Sequence, residues 1–282
     1  MSVYHKKSDL ESVLAPFINL NKTIGLVPTM GALHQGHLSL LEQSVKENEV
    51  TVISIFVNPT QFNNSDDLAK YPRTLDRDVK KVLDLNSQIL IFAPTPEEIY
   101  GTNIVAENYN FNGLEHKMEG AARPGHFDGV GTIITRLFDI IKPTKAYFGE
   151  KDFQQLQIIK ALVKNYNLKT EIVGCPIFRQ ADGLAMSSRN ERLSDNAKAK
   201  STFIYQTLTE AKQMFKNSTI NEVKKFVENK FEQNPDFELE YFEIADQNAL
   251  ESATTKEPNK EYRGFLVAYI EDVRLIDNIL LN

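Results

Sequence analysis

The sequence predicts an α/β protein with a parallel sheet covered by helices on both faces, followed by a smaller C-terminal α+β domain. Three observations carry this expectation. Short, β-branched apolar runs alternate with amphipathic helical stretches up to about residue 184. Those runs lack the polar alternation of a half-solvated sheet, as expected of strands buried on both faces. After residue 184 the pattern changes to long amphipathic helices and then alternating strands.

In chain order, residues 24–27 read as a strand and residues 36–48 as a helix, with Leu38, Leu40, Leu41 and Val45 on its apolar side. The run 50–57 is a buried strand, 75–85 a helix and 88–92 another strand. Residues 129–141 have helical spacing and stop ahead of Pro143, because the residue before a proline is disfavoured in the helical region. A short strand at 146–148, a helix at 153–166 and a strand at 169–173 complete the alternation. Helices at 195–215 and 220–231 and strands at 237–244 and 264–273 form the second part. The expected division is a Rossmann-like domain over 1–184 and a smaller α+β domain over 185–282, joined near Asp182-Gly183.

Bulk properties narrow the class. The 282 residues are 41% hydrophobic and 25% charged, as in ordinary globular proteins. A net charge of −6 argues against nonspecific nucleic-acid binding, which needs a basic footprint. The single cysteine, Cys175, excludes an intramolecular disulfide and a cysteine-based metal cluster, and reads as a small buried residue. No apolar run has the length of a membrane span, and residues 1–20 show no secretory core. The expected class is a cytoplasmic enzyme with no nucleic-acid or membrane partner.

Six segments carry candidate chemistry. Pro28-Thr29-Met30-Gly31-Ala32-Leu33-His34-Gln35-Gly36-His37 joins a strand to a helix. A helix N-terminus offers backbone N–H groups and partial positive charge to an anion, and imidazoles can add hydrogen bonds to phosphate oxygens. Asn58 and Gln61, in Phe56-Val57-Asn58-Pro59-Thr60-Gln61-Phe62, offer neutral donors and acceptors at a strand end, or simply stabilise a turn. Tyr71-Pro72-Arg73, with Asp76 and Asp78 after it, holds carboxylates for Mg²⁺ or an acidic helix start. Glu119, Arg123 and His126 lie in a glycine-containing loop, where Arg123 is a candidate clamp for a carboxylate or phosphate. Gly149-Glu150-Lys151-Asp152 is a second strand-to-helix turn, with Gln155 one helical turn beyond Lys151. Further on, Met186-Ser187-Ser188-Arg189 is either a charge-neutralising loop or a serine helix cap.

These motifs, in this order and at this spacing, together with Ala181-Asp182-Gly183-Leu184-Ala185-Met186-Ser187-Ser188-Arg189-Asn190, resemble the pantothenate synthetases (pantoate–β-alanine ligases) of the nucleotidyl-transferase superfamily. The resemblance covers about residues 28–190. It implies ATP, Mg²⁺, (R)-pantoate and β-alanine as ligands, a homodimer, and a role in vitamin B5 and coenzyme A biosynthesis. It places ATP at Met30, Gly31, Ala32, Leu33, His34, Gln35, Gly36, His37, Gly149, Glu150, Lys151, Asp152, Phe178, Met186, Ser187, Ser188 and Arg189. It assigns proton donation to His37, and pantoate to Gln61 and Gln155, with Gln61 also serving β-alanine. Asn58 and Arg123 are further substrate candidates, while His34, Lys151, Ser188 and Arg189 would join His37 in catalysis. Some relatives have consecutive acidic residues after Tyr-Pro-Arg-Thr, whereas Arg77 separates Asp76 from Asp78 here. Asp78 is the metal candidate that results. The implied chemistry is pantoate adenylation followed by amine attack. An adenylyltransferase, an aminoacyl-tRNA synthetase and a non-catalytic ATP-binding module are the competing readings.

Overall fold

The computed structural model describes residues 3–282, which form two compact units. The first runs to Glu150 and resumes over Gln155–Pro176; the second comprises Lys151–Gln154 and Ile177–Asn282.

In the first unit the strands are β1 (Val3–Tyr4), β2 (Ile24–Thr29), β3 (Val50–Ile55), β4 (Leu90–Phe92), β5 (Lys145–Gly149) and β6 (Glu171–Cys175). They form one sheet in the order β1-β4-β3-β2-β5-β6, and every pairing is parallel. The helices are α1 (Lys7–Asn19), α2 (Gln35–Glu47), α3 (Ser65–Lys70), α4 (Leu75–Leu85), α5 (Pro96–Tyr100), α6 (Met118–Ala122), α7 (His126–Ile141) and α8 (Phe153–Asn165). All six positions of β3 are buried, which explains why no charged residue interrupts it. One core cluster joins Val27, Leu33, Leu41, Ile53, Val82 and Ile91, so β2, β3, α2 and α4 share it.

Strand order reverses at β2. The chain winds β2, β3, β4 to one side and then places β5 and β6 on the other. The carboxyl ends of adjacent β2 and β5, Thr29 and Gly149, therefore mark a topological switch point, where open α/β sheets bind ligands.

The second unit contains α9 (Asp195–Lys200), α10 (Thr202–Phe215), α11 (Ile220–Glu232), β7 (Phe237–Asp246), β8 (Tyr262–Ile270) and β9 (Val273–Leu280). Its sheet is antiparallel in the order β7-β8-β9. Leu208, Phe215, Val223, Val227 and Phe231 of the helices share a core with Phe242, Ile244, Leu266 and Val273 of the strands.

Several elements differ from their sequence expectation. Strand β2 continues past Val27 through Pro28; β5 pairs only with Gly25 and Leu26, so a proline is tolerated where one flank of the strand has no partner. Helix α1 has no counterpart in the sequence expectation; it buries only Leu10 and Leu14, too thin a stripe to read. The expected helix at 195–215 is interrupted at Ser201, which is fully buried and whose hydroxyl donates to the Ala197 carbonyl at 2.7 Å. The expected strand at 264–273 is the end of one hairpin arm and the start of the next. Its reversal uses Glu271, with φ 53°, rather than a glycine, so no turn signal marks it.

Cys175 ends β6 and is buried, and desolvation pushes its thiol from 9.0 up to about 11. Two outcomes are expected. The native protein resists thiol reagents at neutral pH until it is denatured. The unfolded chain loses this proton first, so stability falls as pH rises from about 9 to about 11. Rapid labelling of the native thiol at pH 7 would contradict both. Among the described residues no helix is long and apolar enough to cross a membrane.

Candidate active site

The turn after β2 is built on a buried carboxylate. Gly31 and Ala32 have φ of 84° and 49°, a left-handed pair that only the glycine adopts without strain. This turn brings the successive Ala32 and Leu33 N–H groups into one concavity, an anion cradle. Here the cradle is filled from within the protein. Asp78 Oδ2 accepts from Ala32 N at 2.9 Å, and Asp78 Oδ1 from Leu33 N at 2.8 Å. Thr74 Oγ1 adds a third bond to Oδ2 at 3.1 Å. Asp78 is fully buried. Its oxygens are committed to shaping the turn, so it does not fit the role of Mg²⁺ ligand that the sequence expectation gave it. Among the described residues no group of three or more His, Cys, Asp or Glu side chains forms a metal site.

With the turn pinned at Ala32 and Leu33, the chain enters α2 at His34, the N-cap. His34 N donates to His37 Nδ1 at 3.3 Å, and the two rings lie 4.0 Å apart between centroids. A ring nitrogen that accepts leaves the proton of the neutral imidazole on the other one. His37 therefore presents Nε2–H as a donor. Gln35 is exposed at the start of α2, while Gly36 and His37 are partly exposed.

The segment after β3 lies against the start of this turn. Gln61 Nε2 is 3.0 Å from Met30 Sδ. The Gln61 backbone carbonyl accepts from His126 Nδ1 at 2.7 Å and from Arg123 Nη2 at 3.3 Å. Arg123 Nη1 also faces His126 Nε2 at 3.3 Å. A guanidinium only donates, so Nε2 accepts and His126 is the neutral Nδ1–H tautomer. His126 is thus the first residue of α7 and a brace for Gln61, where the sequence placed it in a loop. Arg123 is partly engaged in the same brace. Asn58 is almost fully buried and makes four side-chain hydrogen bonds within the protein, to Gln61, Gly129, Thr60 and Tyr100. Gln155 is half-buried in the first turn of α8. Gly149 and Glu150 close β5 and open the turn that follows it.

The second unit holds the remaining candidates. Lys151 and Asp152 lie in a 3₁₀ turn, with Lys151 Nζ 3.9 Å from Asp152 Oδ1. The Lys151 carbonyl accepts from Asn278 Nδ2 at 2.9 Å. Phe178 and Met186 face each other across a hairpin, through a bond from Met186 N to Phe178 O at 3.1 Å. Arg179 staples the hairpin to β9: its guanidinium binds Asp277 in a two-point pair at 2.6 and 2.8 Å and lies 4.0 Å over the Tyr205 ring. Ser187 caps a 3₁₀ helix over Ser188–Arg192 by accepting from Arg189 N at 3.3 Å. Ser188 is buried and Arg189 partly exposed. The segment 186–189 is therefore an ordered helix start.

Three supporting residues escaped the sequence reading: Tyr100, Asp277 and Asn278. Each is a lone polar residue in an otherwise unremarked stretch, with a partner far along the chain, and no local spacing announces it.

Comparison with known proteins agrees with this architecture. The family model described as pantoate-beta-alanine ligase matches residues 2–280. A pantothenate synthetase from Flavobacterium psychrophilum is 54% identical over 281 residues, covering 100% of both chains. One from Christiangramia forsetii is 50% identical over 282 residues, again covering 100% of both. The crystal structure of pantothenate synthetase from Thermus thermophilus superposes with a TM-score of 0.92 at 35% identity, over 100% of this chain and 99% of that one. The Francisella tularensis pantoate-beta-alanine ligase, solved in complex with beta-gamma ATP and beta-alanine, gives 0.80 at 35% identity, over 100% and 98%. Matched from end to end by the family model and by relatives at half identity or more, the chain belongs to the pantoate–β-alanine ligase family.

Proposed function

We propose that the chain condenses (R)-pantoate with β-alanine, using ATP, to give pantothenate, AMP and pyrophosphate through an enzyme-held pantoyl adenylate. One observation carries the assignment of sites: the histidine-bearing turn that opens α2 and an amide donor lie side by side in the first unit, with Met30 of the turn 3.0 Å from Gln61 Nε2. That arrangement suits a reaction between a nucleotide phosphorus and a small hydroxy acid.

In the first step a pantoate carboxylate oxygen attacks the α-phosphorus in line, and the bond to the pyrophosphate oxygen breaks. No covalent bond to the protein is needed, so the protein positions the reactants and stabilises developing charge. His37 Nε2–H and His34 are assigned to phosphate oxygens, with Lys151, Ser188 and Arg189 neutralising the charge that grows on the leaving group. Met30–His37, Gly149–Asp152, Phe178, Met186 and Ser187 are assigned to the nucleotide, and Gln61 and Gln155 to pantoate. In the second step the neutral amine of β-alanine attacks the acyl carbon, AMP departs with the bonding pair, and the nitrogen gives up one proton to solvent to leave the neutral amide. Mg²⁺ accompanies the nucleotide in this proposal, but no step passes through Asp78. A homodimer and a cytoplasmic location, implied by the family resemblance, belong to the same proposal.

The test is AMP release from ATP, Mg²⁺ and (R)-pantoate, with and without β-alanine. The expected result is sustained turnover to AMP and pyrophosphate in equal amounts only when β-alanine is present, with pantothenate as the third product; without β-alanine, pyrophosphate stops at one equivalent per site and no AMP is released. An adenylyl group retained on the final product, or folded ATP-binding protein that yields no AMP, overturns the proposal.

A further inference from the structure

The orientation of the Gln61 amide is determined by a chain of hydrogen bonds that starts at a backbone carbonyl. Gly129 O can only accept, and it lies 3.1 Å from Asn58 Nδ2, so the Asn58 NH₂ group must face it. The second N–H of that group points at the Gln61 side chain at 3.1 Å and needs an acceptor there, which must be Oε1. Gln61 Nε2 is thereby turned the other way, toward Met30 Sδ. A thioether is a weak acceptor that a substrate oxygen readily replaces.

The other end of Asn58 is held by two hydroxyls. Tyr100 donates to Asn58 Oδ1 at 2.5 Å, and Thr60 Oγ1 donates to the same oxygen at 3.1 Å. Tyr100 ends α5, is 7% exposed, and has the Arg136 guanidinium 4.8 Å from its ring centroid. Burial holds its phenol above the usual range, so it stays an O–H donor. The arrangement also explains a glycine inside α7: a Cβ at Gly129 would meet the Thr60 carbonyl oxygen at 2.3 Å, so only glycine brings this carbonyl within reach of Asn58.

We propose that Tyr100 is a positioning residue for pantoate: acting through Asn58, it keeps the Gln61 side chain with its NH₂ group turned to the substrate, so that Gln61 meets pantoate only as a donor. This rests on the assignment of Gln61 to pantoate. The partner on the substrate is then a lone pair of a carboxylate or hydroxyl oxygen.

The test compares steady-state KM values for pantoate, ATP and β-alanine in Tyr100→Phe, Thr60→Val, Gln61→Glu and the Tyr100→Phe/Gln61→Glu double variant. Tyr100→Phe is expected to raise pantoate KM about fivefold, the loss of one buried hydrogen bond, while ATP KM stays in place. Thr60→Val removes the other hydroxyl on the same oxygen and should give the same signature, which keeps the test open should Tyr100→Phe fail to fold. Gln61→Glu puts an acceptor where the donor stood and should raise pantoate KM at least tenfold, or roughly the value of a hydrogen bond to a charged group. In the double variant Tyr100→Phe should add nothing further, since both changes act on one contact. Pantoate KM unchanged in Tyr100→Phe and Thr60→Val, with Gln61→Glu impaired, overturns the positioning role and leaves the Gln61 assignment standing. Unchanged pantoate KM in Gln61→Glu overturns the assignment itself. Equal losses for all three substrates with a lowered Tm reduce Tyr100 to a structural role.

Discussion

Replacing Lys151 with alanine is expected to slow pantoyl-adenylate formation about a hundredfold, the loss of about 3 kcal/mol of transition-state stabilisation, while leaving the fold intact. The side chain is only 17% exposed, and its ammonium keeps a long ion pair, 3.9 Å, with Asp152. At 3.9 Å, with Asp152 half-exposed, the pair is weak, so removing the ammonium should cost little stability. Its backbone is held independently of its charge, through the 2.9 Å bond from Asn278 to the Lys151 carbonyl. The loss should therefore fall on chemistry. The check is a single-turnover measurement of adenylate with ATP and pantoate, alongside a thermal melt. A single-turnover rate near that of the unaltered protein would remove Lys151 from the mechanism.

Asp78→Ala should act on the fold first. It strips the acceptors from the Ala32 and Leu33 N–H groups, both at buried residues, and from Thr74 Oγ1. Each buried donor left without a partner costs about 1–3 kcal/mol, so a total loss of about 3–5 kcal/mol is expected. Relief of the left-handed strain at Ala32 would follow, because nothing then holds the turn in that form. Asp78→Asn keeps one acceptor oxygen but sets an NH₂ group near a backbone N–H, and should be intermediate. In whatever folded fraction survives, ATP KM should rise while the Mg²⁺ concentration at half-maximal activity stays put. The opposite pattern, an unchanged Tm with a shifted Mg²⁺ dependence, would make Asp78 a metal ligand after all. The distinction matters because sequence spacing alone favours the metal reading: a carboxylate just after Tyr-Pro-Arg-Thr looks like a ligand until its hydrogen bonds are known.

Much of the fold was legible because buried parallel strands and amphipathic helices are local patterns. The runs at 24–29 and 50–55 lack charged residues because nearly every position is buried, and the spacing of α4 sets a stripe toward the core. Where the prediction failed, the deciding interaction was not local. Ser201 interrupts a helix through its buried hydroxyl, and the β8–β9 hairpin turns on a charged residue in a conformation that usually calls for glycine.

The same division runs through the site. By itself the sequence determined the α/β class, the order of strands and helices that puts Thr29 and Gly149 at chain turns, and the family, since each is written in contiguous residues. Only the tertiary structure decided that Asp78 bonds to the turn and that Asn58 ties Gln61 to Gly129. Those outcomes depend on bonds between residues 45 to 71 positions apart. A buried polar side chain takes its role from the partner that satisfies it, and that partner is brought by packing, which no local spacing encodes.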